Sequence, residues 1–412
     1  MVSGVSVGFA LGQTAAVLAF VLAGVALGTI SGLVPGIHAN NMAFLLAAAA
    51  PSIPGPPALV GASMLAAGIV HTFLDVVPML ALGVPDPAMA ASALPGHRLV
   101  LEGRGGEALR LSAFGSGLAV VLAVPLAIPL THAMKMAYPT ISAHLSVVLG
   151  AGVVLLTMTE STRRGAVGGV VVFAVSTGLG LVTLDLQPYA PLSVGGILTP
   201  LFTGLFGAPV LIEAIGGGGV PEQIDSRITV SRWAVGGLSA VGTICGAVVG
   251  YIPGVSSAIA ATLALVAVPG RYGGRGFIVV TSGVNTANSV FALFALVALG
   301  SPRTGVLVAL EEANVPLHVL LLLVAVGFAA VAGFSLVVLV GDAYLRVIGT
   351  IEYTKLSVGV LGLLCIVSYL FTGLLGIGVF AVSTVVGLIP ARFGSRRAHL
   401  MGVLIGPLIL GA

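Results

Sequence analysis

The chain alternates between long apolar runs and short polar joints. The runs fall near 6–50, 58–95, 111–134, 139–160, 165–184, 190–217, 233–269, 276–300, 313–345, 356–373, 375–391 and 398–411. About 20 apolar residues cross a bilayer as a helix, so most runs hold one span and the longest hold two. The pattern predicts an all-α polytopic membrane protein. Two runs are interrupted in the same way, by Gly32-Leu33-Val34-Pro35-Gly36 and by Gly250-Tyr251-Ile252-Pro253-Gly254, 218 residues apart. A second pair follows at nearly the same spacing, Leu82-Gly83-Val84-Pro85 and Leu299-Gly300-Ser301-Pro302. Proline stops a helix and glycine turns it, so Gly32, Pro35, Gly83, Pro85, Gly250, Pro253, Gly300 and Pro302 are expected hinge or turn positions.

The basic residues set the topology. If each Pro-Gly break is the tip of a hairpin that returns to its side of entry, fourteen of the sixteen Lys and Arg residues lie on one face. Only Lys135 and Arg303 fall on the other, a strong positive-inside bias. The base of the first hairpin, Pro51 to Pro57, is uncharged, whereas that of the second carries Arg271 and Arg275. The two repeats are therefore expected to be inverted, with the N-terminus outside and the hairpins meeting near the midplane. The expected divisions are 1–135, repeat 1 with its tip at 32–41; 136–232, connecting spans; 233–350, repeat 2 with its tip at 250–257; and 351–412, C-terminal spans. Paired Gly/Pro interruptions in corresponding segments are a pointer to a secondary transporter whose site lies between repeats.

Composition narrows this further. The chain is 58% hydrophobic and 7% charged, with a mean hydropathy of +1.19, too apolar for a soluble protein of 412 residues. The N-terminus has no basic segment ahead of its first run, which is read as a span rather than a cleaved signal. Cys245 and Cys365 are far apart in apolar segments and read as free thiols. A single Trp and 6% aromatics leave little for a nucleic-acid platform. No P-loop and no nucleophile–base arrangement is present, so neither an ATP motor nor an enzyme is expected. No cofactor is expected beyond Na⁺ as a candidate coupling ion.

The polar residues inside the runs are the candidates for chemistry. Gly36, His38, Asn40 and Asn41 follow the first break, and Gly254, Ser256 and Ser257 the second. A helix restarting there offers uncapped N–H groups and its positive dipole end to an anion, although the same residues serve equally as caps. His71 and Asp75 share one helical face in an apolar run. Asp75 is read either as a Na⁺ or proton carrier tuned by His71 or as half of an interfacial ion pair. Asn285, Thr286, Asn288 and Ser289 offer hard oxygen ligands for Na⁺, or glue between helices. Asp185, Glu213 and Asp342 read as interfacial, and Arg104-Gly105-Gly106-Glu107 as a solvated loop.

The segment Leu82-Gly83-Val84-Pro85-Asp86-Pro87 through Ala93-Leu94-Pro95-Gly96-His97-Arg98, continuing into Gly103-Arg104-Gly105-Gly106-Glu107-Ala108-Leu109-Arg110, resembles the signature loop of the TctA family. That family comprises the large membrane subunits of tripartite tricarboxylate transporters. The Gly-x-x-Pro-Gly breaks, Leu205-Phe206-Gly207 and Ser395-Arg396-Arg397-Ala398-His399 extend the resemblance over nearly the whole chain. It departs at Thr281-Ser282-Gly283-Val284-Asn285-Thr286, where the family has a Pro-Glu step and paired Asn, and at His71 to Asp75, where it has Gly-Gly-Ser. The resemblance implies Na⁺- or H⁺-driven uptake of di- and tricarboxylates, with a small second membrane subunit and an extracytoplasmic binding protein as partners. The reading is a cell-membrane permease for a small organic anion working by alternating access, with lipid contacts and homodimerisation as further expectations. The alternative is a polyprenyl-phosphate or other lipid-phosphate translocase, because Pro253-Gly254-Val255-Ser256 also resembles the signature of a family that recycles that lipid.

Overall fold

The computed structural model describes residues 11–34, 46, 49, 52–83, 93–187, 189–191, 196–216, 220–224, 226–252, 257, 260, 261, 264 and 268–411. Pro35, Gly36, His38, Asn40, Asn41, Pro85, Pro253, Gly254 and Ser256 lie outside the described residues. In chain order the helices are α1 (Leu11–Leu33), α2 (Pro57–Leu74), α3 (Val76–Leu82), α4 (Ala93–Leu101), α5 (Gly105–Ala143), α6 (Leu145–Met158), α7 (Arg163–Thr183), α8 (Leu198–Phe202), α9 (Ala208–Ala214), α10 (Arg232–Tyr251), α11 (Gly273–Leu299), α12 (Gly305–Glu312), α13 (Val319–Ile348), α14 (Tyr353–Gly387), α15 (Ile389–Phe393) and α16 (Gly402–Leu410). There is no strand among the described residues, and eight helical stretches are long and apolar enough to cross a membrane.

An expectation changes at α5, whereas the division expected after residue 373 is seen in α14. The runs at 111–134 and 139–160 read as separate spans, parted by the polar joint around Lys135. Instead α5 runs unbroken through that point, despite Pro125, Pro129 and Pro139, and stops only at His144. At 1.5 Å per residue its 39 residues measure about 58 Å, far more than the apolar core of a bilayer. By contrast, α14 reverses. Gly373 has φ 61° and ψ −155°, a conformation only glycine adopts readily. Leu364 before it and Phe380 after it both meet the short stretch Gly204 to Gly207, so the two halves fold back on each other.

Glycine ladders show how the hairpin helices pack. On α1, Gly24, Gly28 and Gly32 lie against Ser63 O, Ala67 O and Leu74 Cβ of α2. On α10, Gly242, Gly246 and Gly250 lie against Val280 O, Val284 O and Phe291 Cβ of α11. Every contact of the first set maps onto the second by adding 218 to the glycine and 217 to its partner. Only a residue without Cβ allows backbones this close, and such packing is what holds helices together in lipid. In both ladders the numbers rise together, so α1 runs parallel to α2 and α10 parallel to α11. Parallel neighbours begin at the same face. Gly246→Leu is expected to wedge α10 from α11 and cost at least about 3 kcal/mol, the upper range for overpacking. Loss of the monodisperse peak on detergent gel filtration would show it, and an unchanged melting temperature would refute the close contact.

The long helices of the two units run in opposite directions. Gly96 of α4 touches both Met79 and Leu80 at the end of α3 and Ile278 near the start of α11. Gly61 and Gly68 of α2 meet Val315 and Val306, which follow the end of α11. Thus α2–α3 and α11 are antiparallel, and each unit's short helix, α4 or α12, packs on the other unit. A separate apolar core, including Val172, Leu201, Phe206, Leu400 and Val403, joins α7, α8 and α16. It positions no residue of the site described next.

Candidate functional site

The site forms where α2–α3 crosses α11. Pro78 lacks the N–H that would bond Leu74 O, so the helix is interrupted one turn earlier and Asp75 sits at the junction of α2 and α3. Asp75 and Asn285 are each 5% exposed, and Asn285 Nδ2 donates to Asp75 Oδ2 at 2.6 Å. Beside it, Thr72 Oγ1 donates to Ile69 O at 2.8 Å and stands 3.2 Å from Thr286 Oγ1. A hydroxyl has one proton, so the Thr286 hydroxyl is the donor of the second bond. The two units are therefore joined at their crossing by two polar contacts.

Further groups extend this contact in both directions. One turn before Asp75, His71 Nδ1 shares a 2.9 Å hydrogen bond with Ser31 Oγ, next to Gly32 at the end of α1. One turn beyond Asn285, Asn288 Nδ2 donates to Ser257 Oγ at 3.4 Å. The result is a buried polar band from the end of α1, through the crossing, to Ser257 beyond the end of α10. Exposed positions on α5 include the apolar Val121 and Ile128. Buried polar groups in a membrane are expensive and mark paths for ions or polar solutes.

Of the residues expected from sequence, Ser257, His71, Asp75, Asn285, Thr286 and Asn288 all lie in this band, with Ser289 half-buried beside Asn288. Gly83 and Gly300 end α3 and α11 in matching left-handed conformations, φ 69° and 61°. Sequence reasoning passed over Ser31 and Thr72. Ser31 directly precedes the break, and Thr72 lies between His71 and Asp75, so both were locally visible.

The expectation of a solvated loop at Arg104 to Glu107 is overturned. Glu107 is fully buried, and its carboxylate accepts from Arg104 Nε at 2.7 Å, Arg275 Nε at 2.9 Å, Arg275 Nη2 at 3.0 Å, Thr229 N at 2.8 Å and Thr229 Oγ1 at 2.7 Å. Five donors compensate the loss of water. The network ties the start of α5 to the start of α11 and to the segment before α10. Near the other ends of the same helices, Arg303 Nη2 donates to Tyr138 Oη at 2.7 Å. Between them Ser112 and Ser282 share a 2.8 Å bond, so α5 and α11 form a clasped pair flanking the band. His97 was also passed over. Its Nδ1 donates to Leu80 O at 2.7 Å, closing an orphan carbonyl at the end of α3. Burial holds this imidazole below its ordinary pKa, against the pull of that carbonyl.

The end of α10 is fastened to α5 as well. Tyr251 is 1% exposed, its ring packs against Phe291, and its hydroxyl shares a 2.5 Å bond with Thr131 Oγ1. Tyr251→Phe leaves Thr131 without that partner and is expected to cost about 1 kcal/mol, read as a lower midpoint in thermal unfolding. No change would mean that the bond contributes nothing in the native protein.

A family model described as the tripartite tricarboxylate transporter TctA family matches residues 18–402. The uncharacterised protein MJ1079 of Methanocaldococcus jannaschii is 26% identical over 404 residues, covering 95% of this chain and 98% of its own. No solved structure matches. The match takes in both glycine ladders, the polar crossing and the Glu107 clasp, and by it this integral membrane protein belongs to the tripartite tricarboxylate transporter TctA family.

Proposed function

We propose that the protein is the large permease subunit of a carboxylate carrier, moving a small organic anion together with a cation by alternating access between two inverted repeats. The observation that carries this reading is the Asp75–Asn285 bond, a buried carboxylate held by an amide from the opposite unit. A carboxylate there excludes an anionic substrate until a cation neutralises it, which makes binding of the two interdependent. The parallel hairpin pairs, the antiparallel relation of α2–α3 to α11 and the matched glycine ladders support the inverted-repeat part of the reading. Na⁺ and H⁺ are the candidate cations. The tripartite organisation of the family supports a small membrane subunit and an extracytoplasmic binding protein as partners. The distribution of Lys and Arg supports insertion in the cytoplasmic membrane with the N-terminus outside.

Uptake of labelled mono-, di- and tricarboxylates into liposomes under imposed Na⁺ and H⁺ gradients tests the proposal. Gradient-driven accumulation of at least one acid is expected. No accumulation under either gradient would refute it and turn attention to lipid phosphates.

A further inference from the structure

Among the described residues, the half-buried guanidiniums on α5, α11 and their flanks each meet a carboxylate, with one exception. Arg104 and Arg275 share Glu107, and Arg110 meets Asp342 at 3.3 Å. Arg303, near the opposite ends of the same two helices, is half-buried as well. Its guanidinium lies over the Tyr138 ring, 5.2 Å from the centroid, while Nη2 makes the bond to Tyr138 Oη. Tyr138 supplies a ring face and a phenol oxygen, neither of them an anion. Arg303 Nε is buried without a hydrogen-bond partner, and no carboxylate of the described residues pairs with this side chain. A buried donor with no acceptor is the exception in native structures, and more so on a cation. The place of this cation is as informative. Thr131, Met134 and Tyr138 form one half-buried face of α5, and Thr131 is bonded to Tyr251 at the end of α10. Arg303 is thus held about 10 Å farther along α5 than that end. Along α11, Asn288 lies about 16 Å before Leu299, too far for one small anion to touch both it and Arg303. Exposed Lys135, one turn before Tyr138, and Arg303 are the two basic residues that the topology proposed above leaves on the extracytoplasmic face. Positive charge is otherwise kept off that face, so a cation retained there without a counter-ion calls for a functional reason.

We propose that Arg303 forms a carboxylate-binding site at the outer mouth, where the substrate is first received, with Tyr138 as the residue that positions its guanidinium. This rests on the carboxylate-carrier reading and deepens it by adding an outer site to the polar band. A guanidinium offers five N–H donors in a planar fork that matches a carboxylate, and Tyr138 takes one of them. A carboxylate entering beside the ring brings the acceptor that Nε lacks, and the phenol fixes the plane of the fork. The site reads the carboxylate head and not the rest of the molecule, so it acts alike on every acid carried. Its charge also raises the concentration of anions at the mouth, an effect that added salt weakens.

The test is uptake of labelled acetate, malate and citrate by membrane vesicles of the two orientations, made with the unaltered protein, Arg303→Gln, Arg303→Lys and Tyr138→Phe. Arg303→Gln is expected to raise KM about tenfold for each acid carried, the low end for a hydrogen bond to a charged group, and only from the face that bears Arg303. Arg303→Lys, which keeps the charge and loses the fork, should raise KM less, and Tyr138→Phe least. A purely structural clasp between α5 and α11 would instead lower the maximal rate and act from both faces. A second readout needs no transport. Citrate should raise the thermal midpoint of the unaltered protein in detergent more than NaCl of equal ionic strength does, and Arg303→Gln should lose much of that rise. An unmoved KM, a rise of equal size from both faces, or the absence of an Arg303-dependent citrate effect would each overturn the proposal. So would a midpoint raised through Arg303 by phosphatidylglycerol and not by citrate, which would make this a lipid-phosphate site. If no acid is transported but the Arg303-dependent citrate effect is present, the carrier reading falls and the carboxylate site at Arg303 stands.

Discussion

Glu107→Ala is expected to destabilise the protein by about 3 kcal/mol, the low end of the range for breaking a buried ion pair. The low end applies because Arg104 and Arg275 keep 24% and 27% of their side-chain surface in solvent and so recover some hydration. The loss has three parts. Arg275 loses its carboxylate partner, Thr229 N loses its acceptor, and a cavity opens where five hydrogen bonds converged. The control is the pair of substitutions Glu107→Ala and Arg275→Ala made together. With Glu107 and Arg275 both truncated, Arg104 is the one guanidinium of the network still beside the cavity, and it keeps 24% of its side-chain surface in solvent, so the double variant should be less destabilised than the sum of the singles. Thermal unfolding of the four proteins in one detergent measures this. Strict additivity would show that the two side chains do not interact in the native state.

Asp75→Asn is expected to abolish gradient-driven accumulation, lowering it by about 100-fold or more, which corresponds to about 2.7 kcal/mol of lost coupling. The substitution keeps the shape of the side chain and a hydrogen bond to Asn285, so the crossing of α2–α3 and α11 should persist. What disappears is the negative charge that calls for a cation. Exchange of labelled for unlabelled substrate with no gradient imposed should therefore continue in the variant while accumulation stops. That divergence separates a coupling residue from a packing residue. If exchange and accumulation fell together in a well-folded variant, Asp75 would be holding the helices rather than coupling the ion. Asn285→Ala should weaken both activities more mildly, since it leaves the charge and removes only its partner.

Much of the architecture is legible in the residues themselves. Hydropathy marks the spans, and the split of the last long apolar region at Gly373 appears in the runs as well as in the fold. The paired Gly-x-x-Pro-Gly breaks identify two related units before any coordinates. The misreadings have a common physical origin. The polar joint around Lys135 reads as a gap between two runs, but α5 continues through it and through Pro125, Pro129 and Pro139. Glu107 looked solvated because its own neighbours are Gly, Arg and Ala, whereas its decisive partner lies 168 residues away. Ser31 and Thr72 were overlooked because a lone hydroxyl in an apolar run is ordinarily bonded to its own helix.

Periodicity, hydropathy and turn chemistry are properties of neighbouring residues, so the sequence alone determined the all-helical membrane class, the recurring Gly-x-x-Pro-Gly motif and the polar positions within the runs, whereas Gly32 and Gly250, expected as turns, lie inside α1 and α10. The four-residue spacing of Gly24, Gly28 and Gly32, and of Gly242, Gly246 and Gly250, is equally plain in the chain. What that spacing faces is not. Only the packing of helices against one another decided that Asp75 meets Asn285, 210 residues later, and that Glu107 is a buried clasp rather than a surface charge. Contacts of that range depend on which helix faces turn toward each other, and in lipid those faces are chosen by close packing and hydrogen bonding between helices, since hydrophobicity is satisfied on every side.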